Sequence, residues 1–476
     1  MVTSENKVVL SSGRFSGTSR DQLRKAFEAF KASAQKDRLV LHFHGGLVSL
    51  ADGEAIAARL LPVYRDQGLG YPLFTLWESG IWEVLRNNWR EVAEQDIFSR
   101  LVERVLQFVW GKLDQTPGEK GLAVELPTRF DVQAKMQEAR AGKEPLVERH
   151  EEAEALDPDL SPLEEEQFKN LLATDPVLAQ AGSRMTKEDL TEFSPQLQQD
   201  IEAARKAQAP GEKGLIESAM LIRAGVRILG RCFKRFADKR HHGVYTTVVE
   251  EVARELKGEL IGGVVWKHMK KDTADSFAGA PDTYGGSAIL EEIGNLHATG
   301  FRPRIVLVGH STGAVYICYL LLAAKKALPE DVKFDVVFLA PACTFKLLDE
   351  TLSTAGSRIG AFRSFGMEDA IEIADELVPP LYLRSLLYFV SGLVEDEVDI
   401  PLVGMKRFHS GTAPFDQGAF PDIARVRERL HPIPNAWLWS KSEVGPGLST
   451  LSVHHGDFDN DKLTLASVAH CISKGF

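Results

Sequence analysis

Residues 303–327 read PRIVLVGHSTGAVYICYLLLAAKKA. The apolar run Ile305–Val308 predicts a buried strand, and Val315–Ala327 predicts a helix. Between them lies Gly309-His310-Ser311-Thr312-Gly313, a serine with a glycine two residues away on either side. Glycines there permit a strand-to-helix turn too tight for side chains, and such a turn lifts the serine hydroxyl above the sheet. The amide of Thr312, at the start of the helix, can point at a developing oxyanion. In a chain with 39 glycines the GxSxG pattern arises readily by chance. The strand before it and the helix after it give it meaning.

The same alternation extends on both sides. Strands are expected at Lys7–Leu10, Arg38–Phe43, Tyr71–Trp77, Leu260–Trp266, Arg304–Val308, Phe334–Leu339, Ile359–Met367 and Ala436–Trp439. Helices are expected at Ser19–Ala34, Asp52–Arg65 and Gly285–Ala298, and an apolar one at Leu381–Val394. This rhythm implies an α/β fold with a mostly parallel central sheet flanked by helices. From about 95 to 258 it stops. Helical segments rich in Glu, Lys, Gln and Ala replace it, at 96–113, about 130–155, 161–173 and 187–208, with QTPGEKG and QAPGEKG as punctuation. The reading is a core of residues 1–94 and 259–476, with a helical insertion at 95–258 placed as a cap or lid. The acidic middle, ERHEEAEALDPDLSPLEEE, reads as a solvated face or mobile segment.

One helix of the insertion, Gly214–Lys239, carries Arg223, Arg227, Arg231, Arg235 and Lys239 at every fourth residue. The expectation is an amphipathic helix packed on the body with this basic stripe in water. The sharper alternative is membrane-surface contact through 214–239, with the stripe on anionic lipid or a lipid-like substrate.

The 476 residues carry a net charge of -11, which argues against general nucleic-acid binding. No apolar run reaches the length of a membrane span, and MVTSENKVVL lacks the pattern of a signal peptide. Cys232, Cys318, Cys343 and Cys471 are scattered, so neither a zinc site nor a disulfide framework is expected, and a reducing, cytoplasmic setting fits. No cofactor is implied.

A serine nucleophile needs a base and an orienting carboxylate. His455, in Ser452-Val453-His454-His455-Gly456-Asp457, follows the last expected strand and is the candidate base; His454 is the alternative, since neighbouring side chains in an extended loop point apart. The acid should follow the strand that ends near Met367. Asp369 lies nearest that end, and Asp375 serves if the strand runs longer. His42-Phe43-His44-Gly45-Gly46 follows an early strand, where Gly45 and Gly46 can supply the second oxyanion donor and His44 can brace the loop. His42 and His44 alternate along a strand, but no third ligand at a recognisable spacing makes them a metal site. Trp77-Glu78-Ser79 ends another strand and is expected to line the pocket mouth.

Taken in order, His44-Gly45-Gly46, Gly309–Gly313, an acid at 369 or 375 and His455-Gly456-Asp457 resemble the α/β-hydrolase superfamily. The likeness covers roughly 35–90 and 255–476 and leaves the insertion outside it. It implies a serine esterase or lipase-like mechanism in which Ser311 attacks a carbonyl, His455 moves the proton, the acid orients His455, and amides near Gly45 and Thr312 hold the oxyanion. The expected partner is a small-molecule or lipid-like ester. Peptidase or amidase chemistry on the same fold stays open, as does a protein-interaction module whose insertion docks a protein partner.

Overall fold

The computed structural model describes residues 2–46, 48–66, 68–77, 96–115, 124, 126–140, 150–184, 194–207, 213–256, 263–379 and 381–476. The chain divides into two compact units. The first comprises 1–84, 265–375 and 400–476; the second comprises 85–264 and 376–399. The second unit therefore takes in a segment, 376–399, that the sequence reading assigns to the core.

The first unit is built on an eight-stranded sheet. Its strands are β1 (Lys7–Ser11), β2 (Arg14–Phe15), β3 (Arg38–Phe43), β4 (Tyr71–Trp77), β5 (Arg304–His310), β6 (Phe334–Leu339), β7 (Ile359–Met367) and β8 (Trp437–Ser440). They lie in the order β2-β1-β4-β3-β5-β6-β7-β8. Only the β1–β2 hairpin is antiparallel. The central strands are apolar and buried on both faces, as a parallel sheet covered on two sides requires. On one face Val40, Val306, Val308, Val337 and Phe365 pack against Leu60 and Leu61 of the helix Leu50–Leu61 and against Val468 and Ile472 of the helix Lys462–Ser473. The helix Thr312–Ala327 packs on β5 and β3, beside the helices Gly285–Ala298 and Phe345–Ala355.

Two local expectations change. Leu260–Trp266 is not a strand where it is described, because the helix Gly263–Asp275 begins there. Trp266, Met269 and Thr273 are its buried positions, a helical spacing that the adjacent Val264-Val265 pair disguised as strand. The apolar stretch Leu381–Val394 is not one helix. Its regular turn starts only at Leu386, where the Ser385 side chain caps the Tyr388 amide, and it passes into a π turn at Val390–Val394.

The second unit is helical among the described residues. The helix Lys213–Ala237 lies beside the helix Val244–Leu256. Much of its basic stripe is paired with carboxylates rather than left to water. Arg227 pairs with Glu255 and with Asp200 at 2.8 Å. Arg231 pairs with Glu251 at 2.7 Å and Glu255 at 2.9 Å, and Arg235 with Glu250 at 2.7 Å and Glu251 at 3.0 Å. Glutamate numbers fall as arginine numbers rise, so the two helices run in opposite directions. Glu250, Glu251 and Glu255 lie on the buried side of their helix, and burial of carboxylates demands partners. The arginines meet that demand, while Arg223 alone of the stripe's arginines stays exposed. Beneath the ladder, His242 lies between Glu250 at 2.9 Å and Asp399 at 2.8 Å, all fully buried. No helix among the described residues is long and apolar enough to cross a membrane.

Candidate active site

Among the described residues, every candidate position lies at or beyond the carboxyl end of a parallel strand, the edge where open α/β sheets bind their ligands. Ser311 follows β5 directly, with φ 53° and ψ -112°. This left-handed conformation is strained for any residue with a Cβ. Backbone bonds hold it: the Ser311 amide donates to the Leu339 carbonyl at 2.8 Å, and its own carbonyl accepts from Ala342 at 3.1 Å. The flanking glycines are sterically required. A Cβ on Gly309 would stand 2.7 Å from the Gly313 backbone, and one on Gly313 would stand 2.2 Å from the Phe43 carbonyl oxygen. Thr312 is the first residue of the helix, so its N–H is among those with no intrahelical acceptor.

The loop after β3 lies beside this turn. A Cβ on Gly45 would be 3.4 Å from Ser311 Cβ, and one on Gly46 would be 2.6 Å from Thr312 Oγ1. His44 fixes the loop. The Trp77 amide donates to His44 Nε2 at 3.1 Å, so the proton sits on Nδ1, which donates to the Gly45 carbonyl at 2.6 Å. In a trans peptide the N–H points opposite to the C=O. Drawing the Gly45 carbonyl toward His44 therefore turns the Gly46 amide away from it. The His44 ring also stacks on Trp77, with centroids 4.3 Å apart. Burial pushes its pKa down to about 4 and that of His42 to about 3, so both are neutral.

Of the two candidate acids, the structure brings Asp375 to the histidines. Asp375 Oδ1 meets His454 Nδ1 at 2.8 Å, and Oδ2 accepts the His455 backbone N–H at 2.8 Å. Asp369 instead opens the short helix Asp369–Ala374, six residues earlier. The carboxylate thus reaches the ring of His454 and not that of His455, to which sequence reasoning gives the base. The two rings thus have different surroundings, His454 against the Asp375 carboxylate and His455 against His310. His454 is exposed, and its bond to Asp375 raises its pKa above the ordinary imidazole value. The His455 ring is buried, stacks on His310 with centroids 5.3 Å apart, and has neither ring nitrogen hydrogen-bonded. Desolvation and the nearby His310 hold its pKa well below the ordinary value. Asp457 secures the loop by accepting the amides of Val453 at 3.1 Å and His454 at 2.9 Å.

No hydrogen bond among the described residues joins the Ser311 hydroxyl to either imidazole. Glu78 and Ser79, expected at the pocket mouth, lie outside the described residues. No group of three or more His, Cys, Asp or Glu among the described residues could hold a metal ion. Sequence reasoning passed over His310, although its position inside the GxSxG pattern is visible; its contacts depend on how the distant His455 loop folds back. No protein-family model matches the chain, and neither a curated protein nor a solved structure matches it.

Proposed function

We propose that the protein is a serine hydrolase of the α/β-hydrolase type that cleaves a carboxylic ester through an acyl-enzyme on Ser311. The observation that carries this reading is the strained Ser311 turn at the carboxyl edge of the sheet, with an Asp375–His454 pair on the loops that follow β7 and β8. The chain order, serine, acid, histidine, agrees with it. The helical unit interrupts the chain between β4 and β5, where the resemblance expects a cap.

In this mechanism His454, not His455, is the base. Asp375 holds the His454 Nδ1–H, which leaves Nε2 to take the proton as Ser311 Oγ attacks the ester carbonyl. In this reading the contact from Oγ to Nε2 forms when substrate is bound. The amides of Thr312 and Gly46 take the negative charge of the tetrahedral intermediate. His454 then returns the proton to the leaving alcohol, and a water activated by the same imidazole releases the acid.

Labelling with a fluorophosphonate probe, with the adduct mapped by mass spectrometry, tests the assignment. Ser311 should carry the adduct, and Ser311→Ala should abolish it. His454→Ala should slow labelling by orders of magnitude, whereas Asp369→Asn should not. An adduct on another residue, or none on folded protein, rejects the proposal. Esters of graded acyl length, assayed beside a peptide panel, then separate ester from amide chemistry.

A further inference from the structure

We infer that His310, the residue before the proposed nucleophile, is a positioning residue: its ring ties the loop that carries His454 to the strand that carries Ser311. This rests on the hydrolase reading above.

His310 Nε2 lies 3.0 Å from the carbonyl oxygen of His455, and the contact is buried. A carbonyl can only accept, so Nε2 carries the proton and donates. The backbone of His455 is thereby held at both ends. Its carbonyl is bound by the residue before Ser311, and its N–H is bound by Asp375 at 2.8 Å. His454, the next residue back, receives the other oxygen of the same carboxylate. One residue thus joins the nucleophile strand to the acid, and the base hangs from that joint. The His455 ring reinforces it by lying over His310 at an interplanar angle of 28°.

On its other side His310 makes no hydrogen bond. Its Nδ1 lies 4.0 Å from Asp459 Oδ2, and Asp459 Oδ1 pairs with Arg59 at 3.2 Å. His42 and His44 are its remaining titratable neighbours. A side chain that merely filled space there would need no donor directed at a loop more than a hundred residues away. Proper placement of the base matters because a shift of about 1 Å costs roughly a hundredfold in rate.

Two variants separate the donor from the packing. His310→Phe keeps a ring for His455 to stack on and removes the N–H; His310→Gln removes the ring and keeps an N–H of similar reach. Fluorophosphonate labelling of Ser311 should slow by about a hundredfold in H310F and recover most of the wild-type rate in H310Q. A second readout does not depend on catalysis. Histidine-ring NMR should find His454 titrating above the ordinary imidazole value in the wild type and in H310Q, and falling toward it in H310F as His454 leaves Asp375. An unchanged His454 titration in H310F overturns the inference, and so do equal effects of the two variants. If H310F does not fold, His310→Leu removes the same donor. If the wild-type protein does not label at Ser311, the hydrolase reading fails, while the His454 titration still decides whether His310 places that loop.

Discussion

Ser311 concentrates the conflict between folding and chemistry in one residue. Its φ of 53° with ψ of -112° costs about 1–3 kcal/mol for a residue with a Cβ. Glycine escapes that cost. Ser311→Gly should therefore abolish labelling yet raise stability by about 1 kcal/mol, read as a higher urea midpoint. An equal or lower midpoint would mean the turn stores no strain. The Asp375–His454 pair makes a second prediction. The base must be neutral to accept a proton, and Asp375 favours the protonated ring, so the acid limb of kcat/KM should lie above pH 6.5. Asp375→Asn removes that attraction and should move the limb down while lowering the rate by about 10⁴. A limb that stays in place would detach Asp375 from the base. The type of each of these residues could be read from sequence, but the pairing could not. Which of two adjacent histidines meets the acid depends on the phase of one loop, and no local pattern records that.

The elements divide according to where their determinants lie. β3, β5 and β6 were legible because strands buried on both faces carry near-continuous apolar runs. The two-residue β2 was not, because its pairing with β1 through Leu10 and Phe15 is a tertiary fact about a weakly apolar stretch. The helix Lys213–Ala237 shows the same limit in reverse. Its periodicity was plain, but the residues that occupy its basic stripe sit on another helix. Arg235 lies almost wholly buried between Glu250 and Glu251. Removing one partner of a buried ion pair leaves uncompensated charge, so Arg235→Leu should destabilise the protein by about 3–5 kcal/mol. Replacing Arg223, which is exposed, should cost well under 1 kcal/mol. Chemical denaturation of both variants measures the contrast. Equal effects would mean that the ladder contributes no more than a solvated stripe.

At the scale of the whole molecule, the histidines of the first unit set a lower limit on the pH it tolerates. His42, His44 and His455 are buried and His409 is partly so, and burial is the leading cause that lowers each pKa, to about 3 for His42, to about 4 for His44 and His409, and well below the ordinary value for His455. In the unfolded chain each titrates near 6.5. Below that pH the unfolded chain takes up a proton that the folded chain refuses, so stability falls as pH falls. Each imidazole contributes a slope of about 1.4 kcal/mol per pH unit once well below 6.5, and four together contribute about 5.5. Glu250, held below the usual carboxylate range by His242 and Arg235, adds a loss in the same direction at still lower pH. His454 acts in the opposite sense, since its raised pKa favours the folded state as pH falls, but it is exposed and its share is small. A domain with a margin of up to about 10 kcal/mol, within the ordinary range, should then hold a level urea midpoint from pH 8 to 7, lose it steeply below pH 6, and unfold without denaturant within about two pH units of that point. The slope of stability against pH should correspond to uptake of about four protons on unfolding. A midpoint that is flat from pH 7 to 5 would mean that these rings are protonated in the folded protein. A charged His44 could no longer accept the Trp77 amide at Nε2, and the Gly45–Gly46 peptide would lose the contact that orients it.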